Sequence, residues 1–167
     1  QWQQRLITIF IAMAESNPAY LQLRYLDETG QEMVRVDSQN GQTTIITRPD
    51  LQNKSDRDYF IETMKLAEGE IYISPLNLNQ EQGQIEVPFK PVVRFATPIF
   101  NTQGERRGIL ATNMNASHIL KLVQGEGDVV LPGQFSFLLN ADGYYLSHPD
   151  ENKLWGFDLG TDETILQ

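Results

Sequence analysis

The sequence predicts an α+β fold in which antiparallel sheet is flanked by helices, entered through a long N-terminal helix and laid down as two tandem modules, the second incomplete. Three observations predict it. Tyr25-Leu26-Asp27-Glu28-Thr29-Gly30, followed by polar-apolar alternation, returns as Leu138-Leu139-Asn140-Ala141-Asp142-Gly143, so that Gly143 repeats Gly30 in the far part of the chain. A hairpin repeated once at so wide an interval is too sparse for a solenoid and fits duplication of a small sheet domain. Between glycine turns the apolar residues alternate at period two, and an amphipathic helical period opens the chain.

Trp2, Leu6, Ile9, Phe10 and Met13 recur at helical spacing, and Asn17-Pro18 ends the pattern because the proline ring disfavours helix at the residue before it. Trp2, Leu6, Phe10 and Met13 are expected to continue a longer helix in the intact protein and to contribute to a parallel homodimer. Tyr20 to Leu26 and Glu32 to Asp37 form a β-hairpin, and Asn40-Gly41 turns the chain into the β-branched run Thr43 to Thr47. Asp27 and Asn140 open their turns because such side chains bond the backbone two residues on.

Ser55-Asp56-Arg57-Asp58 has the form of a capping box ahead of Phe60, Met64 and Ala67, with Gly69 ending that helix. Ile71 to Ile73 is a short strand, and Asn77 to Gln84 an exposed Asn/Gln-rich loop. Val87 to Phe100 is strand-like but contains Pro88, Pro91 and Pro98, which imply a bulge or an edge. Asn101 to Gly104 turns the chain into a strand from Gly108 to Met114. A short helix from Ala116 to Val123 follows, with Asn115 as cap. Gly125 to Gly127 and Pro132-Gly133 break the periodicity. The expected organisation is therefore an N-terminal helix over residues 1–17, a first module over 18–125 and the start of a second over 126–167. Only the segment from Pro149 to Gln167 follows the hairpin that ends at His148, too little chain to finish a sheet.

Composition narrows the function. The chain of 167 residues is 40% hydrophobic and so globular, while a formal charge of -9 opposes nucleic-acid binding. The absence of cysteine removes disulfides, thiolate metal sites and a Cys nucleophile. No window approaches the roughly 18 apolar residues of a membrane span. Gln1 is not a natural start, so the expectation is an excised soluble fragment, flanked in the intact protein by membrane helices.

Arg94-Phe95-Ala96-Thr97-Pro98-Ile99-Phe100, then Gly104, Gly108-Ile109-Leu110 and a short helix, resembles the PAS-like, extracytoplasmic Cache domains of bacterial receptors. From Trp2 to Leu159 the chain resembles the double Cache ectodomain of membrane histidine kinases. Asp56-Arg57-Asp58-Tyr59-Phe60 and Asp142-Gly143-Tyr144-Tyr145 are its most specific segments. The resemblance implies a periplasmic ligand sensor with no cofactor, whose first, membrane-distal module holds a pocket between sheet and covering loops.

A small carboxylate requires guanidinium forks and rigid aromatic walls, and Arg57, Tyr59, Tyr72 and Arg94 supply both. These four are expected to meet in one cavity beside the loop Ser74 to Gln84. By resemblance, Arg94 falls where carboxylate-sensing members place a ligand arginine, and Arg57-x-Tyr59-Phe60 matches the arginine and aromatic cluster of amino-acid-binding members. Arg35 falls where dicarboxylate sensors have a ligand histidine, but the family arginine before it is Glu32 here. Leu76 and Asn113 stand where amino-acid-binding members use a tyrosine and an aspartate to hold the ammonium. Asn113 is retained as a polar contact, and the ligand expected is a small carboxylate or neutral polar metabolite.

Other function classes have less support. No G-x-S-x-G, H-E-x-x-H, P-loop or Rossmann fingerprint appears, so the fragment is not expected to be an enzyme. His118 and His148 lack a third ligand for a metal. A ligand-free dimerisation or protein-binding module is the competing reading, and an intracellular PAS domain with haem or flavin has no axial ligand in view. His148 occupies in the second module the position of Arg35 in the first, and Trp155-Gly156-Phe157 forms a wall of that module.

Overall fold

Alternating side chains build the first unit around one antiparallel sheet. In the computed structural model, which describes residues 1–124 and 135–166, helix α1 (Trp2–Ser16) precedes strands β1 (Tyr20–Leu26), β2 (Glu32–Gln39) and β3 (Gln42–Ile46). Helix α2 (Asp58–Thr63) and strand β4 (Tyr72–Ile73) follow. Strands β5 (Asn77–Leu78), β6 (Gln80–Glu81) and β7 (Gln84–Ile85) come next, before the long strands β8 (Pro91–Phe100) and β9 (Arg106–Asn115). The sheet order is β3-β2-β1-β9-β8-β4.

Each face of this sheet buries its own apolar layer. On one, Phe10 and Ala14 of α1 pack on Leu23, Val34 and Val36. On the other, Tyr59 and Phe60 of α2 pack on Leu26, Ala96, Ile109 and Ala111. The amphipathic stripe is thus split in two. Leu6 and Phe10 are held against their own sheet, while Trp2 and Ile9 are more than half exposed.

Two expectations in this region are corrected. Helix α2 begins at Asp58 with Arg57 as N-cap and no side-chain cap, so Ser55 does not cap it. The reason is a strap: Lys54 N–H donates to Gly30 O at 2.8 Å and Asn53 pairs with Gln31, holding residues 53–54 to the first hairpin. The helix stops at Thr63, well before Gly69. The expected edge is met in part: β8 starts at Pro91 and has β9 along one side, while its pairs with the two-residue strands β4 and β5 on the other end at Ala96, so Pro98 stands on a stretch that no described strand covers on that side.

The chain divides into two compact units, Gln1–Ser74 with Val93–Met114, and Pro75–Val92 with the described part of Asn115–Gln167. The boundary expected near residue 125 lies outside the described residues. The segment expected as an exposed loop, Asn77 to Gln84, is instead partly core, because Leu78 joins Leu120, Leu146 and Trp155 in the second unit's apolar cluster. That unit also contains α3 (Ser117–Gln124), β10 (Leu138–Leu139), β11 (Tyr145–Ser147), a 3-10 turn (Glu151–Lys153) and α4 (Gly156–Leu159). Asn115 Oδ1 accepts from Ser117 N–H at 2.8 Å, as expected of a cap to α3.

The repeated hairpin is reproduced bond for bond. Tyr25 pairs with Val34 and Leu26 with Glu32 across a one-residue irregularity; Leu138 pairs with Ser147 and Leu139 with Tyr145 across another at the same place. Asp27 Oδ1 accepts from Thr29 N–H at 2.9 Å and Gln31 N–H at 3.1 Å, and Asn140 Oδ1 from Asp142 N–H at 3.0 Å and Tyr144 N–H at 2.9 Å. Asn101 builds the same turn between β8 and β9.

Candidate functional site

Strand parity brings a polar group onto the face of the first unit that carries α2. Register pairs Gln22 with Asp37 and Asn113, Arg24 with Arg35 and Ala111, and Leu26 with Glu32 and Ile109. Paired residues share a face, so an apolar floor at Leu26 and Ile109 grades along the strands into Arg24, Gln22 and Asn113. All five are buried.

Arg24 is the centre of this group. Its Nη2 donates to Asn113 Oδ1 at 2.5 Å and its Nη1 to the Tyr59 hydroxyl at 3.1 Å, while Glu32 Oε1 lies 3.6 Å away. Asn113 Nδ2 in turn donates to Gln22 Oε1 at 2.8 Å. Glu32 Oε2 stands 3.7 Å from Arg35 Nη1, and Arg35 makes a bidentate pair with Asp37 at 2.7 Å through Nε and Nη2. Buried charges are costly alone, and here each acid sits beside an arginine fork.

The aromatic part comes from α2 and β4. Guanidinium carbons of Arg24 and Arg94 lie 5.2 Å and 5.8 Å from the centroid of the Tyr59 ring, so one phenol faces two cations. Arg94 is itself buried and holds β4 through its backbone, whose N–H donates to Ser74 Oγ at 2.9 Å. Tyr72 pairs with Ala96 and packs against the Tyr59, Phe60 and Ala96 cluster. Burial raises the Tyr72 phenol above its ordinary pKa, with Asp58 and Glu62 adding to the rise and Arg94 opposing it.

Of the residues expected from sequence, Tyr59, Tyr72 and Arg94 are brought together. Arg57 is the half-buried N-cap of the same short helix, two residues before Tyr59. Arg35 and Asn113 belong to the charged network, and a cavity of about 230 Å³ borders Arg35 and Glu32 near Thr47 and Arg48. From Pro75 onward the expected covering loop belongs to the second unit. Sequence reasoning missed Arg24, Glu32 and Gln22. Their signal was parity: Gln22 and Arg24 alternate with Leu23 and Tyr25 and so share the face of Leu26, although alternation alone assigns a face and not burial.

Among the described residues no group of three His, Asp or Glu is placed to hold a metal, and no helix is long and apolar enough to cross a membrane. The family model of the bacterial histidine kinase sensor domain matches residues 1–165. No curated relative matches the chain. Among solved structures, a domain from a sensory box/GGDEF family protein of Vibrio parahaemolyticus is 26% identical at TM-score 0.77, covering 93% of this chain and 57% of that one. The extracellular domain of the histidine kinase vpHK1S-Z8 is 26% identical at TM-score 0.76, covering 93% and 54%. The ligand-binding domain of the Campylobacter jejuni chemoreceptor Tlp3, solved with L-valine, shares the fold at 15% identity and TM-score 0.61, covering 89% and 52%. The chain thus spans little more than half the length of these structures.

Proposed function

Because the chain belongs to the bacterial histidine kinase sensor domains, we propose that its first unit binds a small carboxylate or polar metabolite on the α2 face of the sheet. The protein is an extracytoplasmic sensor domain. The observation that carries the ligand reading is the Tyr59 ring set against two guanidiniums, with Tyr72 beside it, on a buried face rich in arginine. In this reading Arg94 and Arg57 contact the anion, Tyr59 and Tyr72 wall it, and Arg35 and Asn113 shape the polar end. Arg24 positions Tyr59 and Asn113. In this reading the unit reports ligand occupancy to an output domain of the intact receptor. The Tlp3 structure was solved with L-valine, but here the neutral Asn113 is bonded to Arg24 and Gln22 and offers an ammonium no charge.

Thermal-shift titration with mono-, di- and hydroxycarboxylates tests this, since a ligand that binds only the folded state raises Tm. At least one carboxylate is expected to do so saturably. Arg94→Ala is expected to weaken that binding at least about tenfold and Arg94→Lys to restore only part, because a point charge lacks the fork. No shift with any carboxylate or neutral polar metabolite would overturn the reading.

A second reading has its own observation. An apolar cavity of about 230 Å³ lies beside α1, lined by Phe10, Met13, Leu23, Ile71, Phe95 and Leu110. Exposed Trp2, Ile9 and Ile71 add apolar surface to this unit. This supports a homodimer, or a partner protein, engaging the α1 side of the first unit.

A further inference from the structure

Strand β3 leaves its neighbour early. Its last pair with β2 is Ile46 with Arg35, and the chain returns to β2 only at Gln52, whose O accepts from Glu32 N–H at 2.9 Å and whose N–H donates to Glu32 Oε2 at 3.0 Å. Residues 47–51 therefore bow away from Met33 and Val34, and Asp50 N–H closes their turn on Thr47 O at 2.9 Å. Helix α1 supplies the facing wall, fixed across the opening by Gln3 Nε2, which donates to Met33 O at 3.2 Å. The space left between them is the cavity of about 230 Å³ beside Arg35, lined throughout by residues of the first unit.

We propose that this cavity is an accessory ligand site taking a small branched aliphatic carboxylate, its hydrocarbon against Ile7, Val34, Ile45 and Leu51 and its charge on Arg48 and the Thr47 hydroxyl. All six residues line the cavity, and Thr47 and Arg48 are exposed there. The deeper charges are already balanced: Arg35 is held by Asp37 and faces Glu32, which in turn lies beside Arg24. Asp50 belongs to the same loop but does not line the cavity. Arg48 has no acid within ion-pair distance among the described residues, so its guanidinium is the charge left for a ligand, and its fork matches a carboxylate. A cavity of roughly 150 Å³ admits benzene, so this one admits an acid of roughly five or six carbons. The site uses none of Arg57, Tyr59 and Arg94 and shares with the α2 face only the Glu32 and Arg35 wall, so it stands whether or not that face binds a ligand.

The test is a methyl NMR titration of the whole chain with isocaproate, alongside isocaproamide, which keeps the body without the charge, and acetate, which keeps the charge without the body. Isocaproate is expected to shift the Ile45 and Leu51 methyl signals saturably, with the amide and acetate each weaker. Arg48→Gln is expected to bring isocaproate down to the level of its amide, a loss of about three- to fivefold, the scale of an exposed ion pair. Ile45→Glu, at a position 43% exposed on an edge strand, places an acid against the ligand and is expected to abolish the shifts without unfolding the unit. Arg94→Ala leaves isocaproate at this cavity unchanged while weakening the carboxylate response of the α2 face, so the two sites fail separately. Absence of saturation at Ile45 and Leu51, equal binding of isocaproate and its amide, or binding indifferent to both Arg48→Gln and Ile45→Glu overturns the proposal.

Discussion

Glu32 Oε1 lies 3.6 Å from Arg24 Nη1 with both side chains sealed from solvent, 0% and 3% exposed. Glu32 also faces Arg35, and its Oε2 accepts the Gln52 N–H at 3.0 Å, so one carboxylate joins two strands to the strap. Removing it takes the counter-charge from the buried Arg24 guanidinium, a change that typically costs about 3 to 5 kcal/mol. Glu32→Ala is accordingly expected to lower unfolding stability in urea by that amount. A loss under about 1 kcal/mol would show that the pair behaves like a surface ion pair.

The Tyr72 phenol reports on the site without any ligand. Its pKa is raised in the folded state, chiefly by burial, so the unfolded chain loses its phenolic proton first. The stability it contributes is full below the ordinary tyrosine value of about 10 and fades as pH climbs through the folded value. Arg94 opposes the rise, so Arg94→Ala is expected to push the Tyr72 titration further upward, as followed by tyrosinate absorbance against a Tyr72→Phe control. An unchanged titration would separate the two residues.

Gly108 and Gly104 look alike in sequence and differ in space. At Gly108 (φ +117) an added Cβ meets Leu26 O at 2.0 Å, whereas at Gly104 (φ +77) it meets nothing within 4 Å. Gly104→Ala is expected to cost roughly 1 to 2 kcal/mol, the strain of a left-handed alanine. Gly108→Ala forces β1 and β9 apart and is expected to cost clearly more, measured as the difference between the two denaturation midpoints.

Ile9 and Phe10 separate folding from association. Phe10 is 4% exposed against the sheet and Ile9 is 54% exposed. Phe10→Ala is expected to destabilise by about 3 to 5 kcal/mol. Ile9→Glu is expected to leave Tm nearly unchanged and to weaken self-association in sedimentation of the intact receptor ectodomain. If Ile9→Glu alters neither, the homodimer does not use this helix face.

Local chemistry was legible in the sequence wherever a short segment decides its own conformation. The turns at Asp27, Asn40-Gly41, Asn101 and Asn140, the first helix ending at Asn17-Pro18, and the alternating strands on either side follow from side-chain hydrogen bonds, proline sterics and period-two burial. So does the repeat, because a turn that closes on a left-handed glycine specifies the register of its strands. Arg94, Tyr59 and Tyr72 were also in view, as an arginine and aromatics of the types a carboxylate site needs. Tertiary structure decided the rest. Arg24 and Glu32 are buried only because each finds the other across β1 and β2, a match invisible in either strand alone. Helix α2 loses its expected cap because a strap to Gly30 claims residues 53–54 first. Leu78 leaves a polar loop for a core because Leu120, Leu146 and Trp155, all far along the chain from it, are there to receive it. Burial is a property of the partner as much as of the residue, and partners distant in sequence are assigned only when the chain has folded.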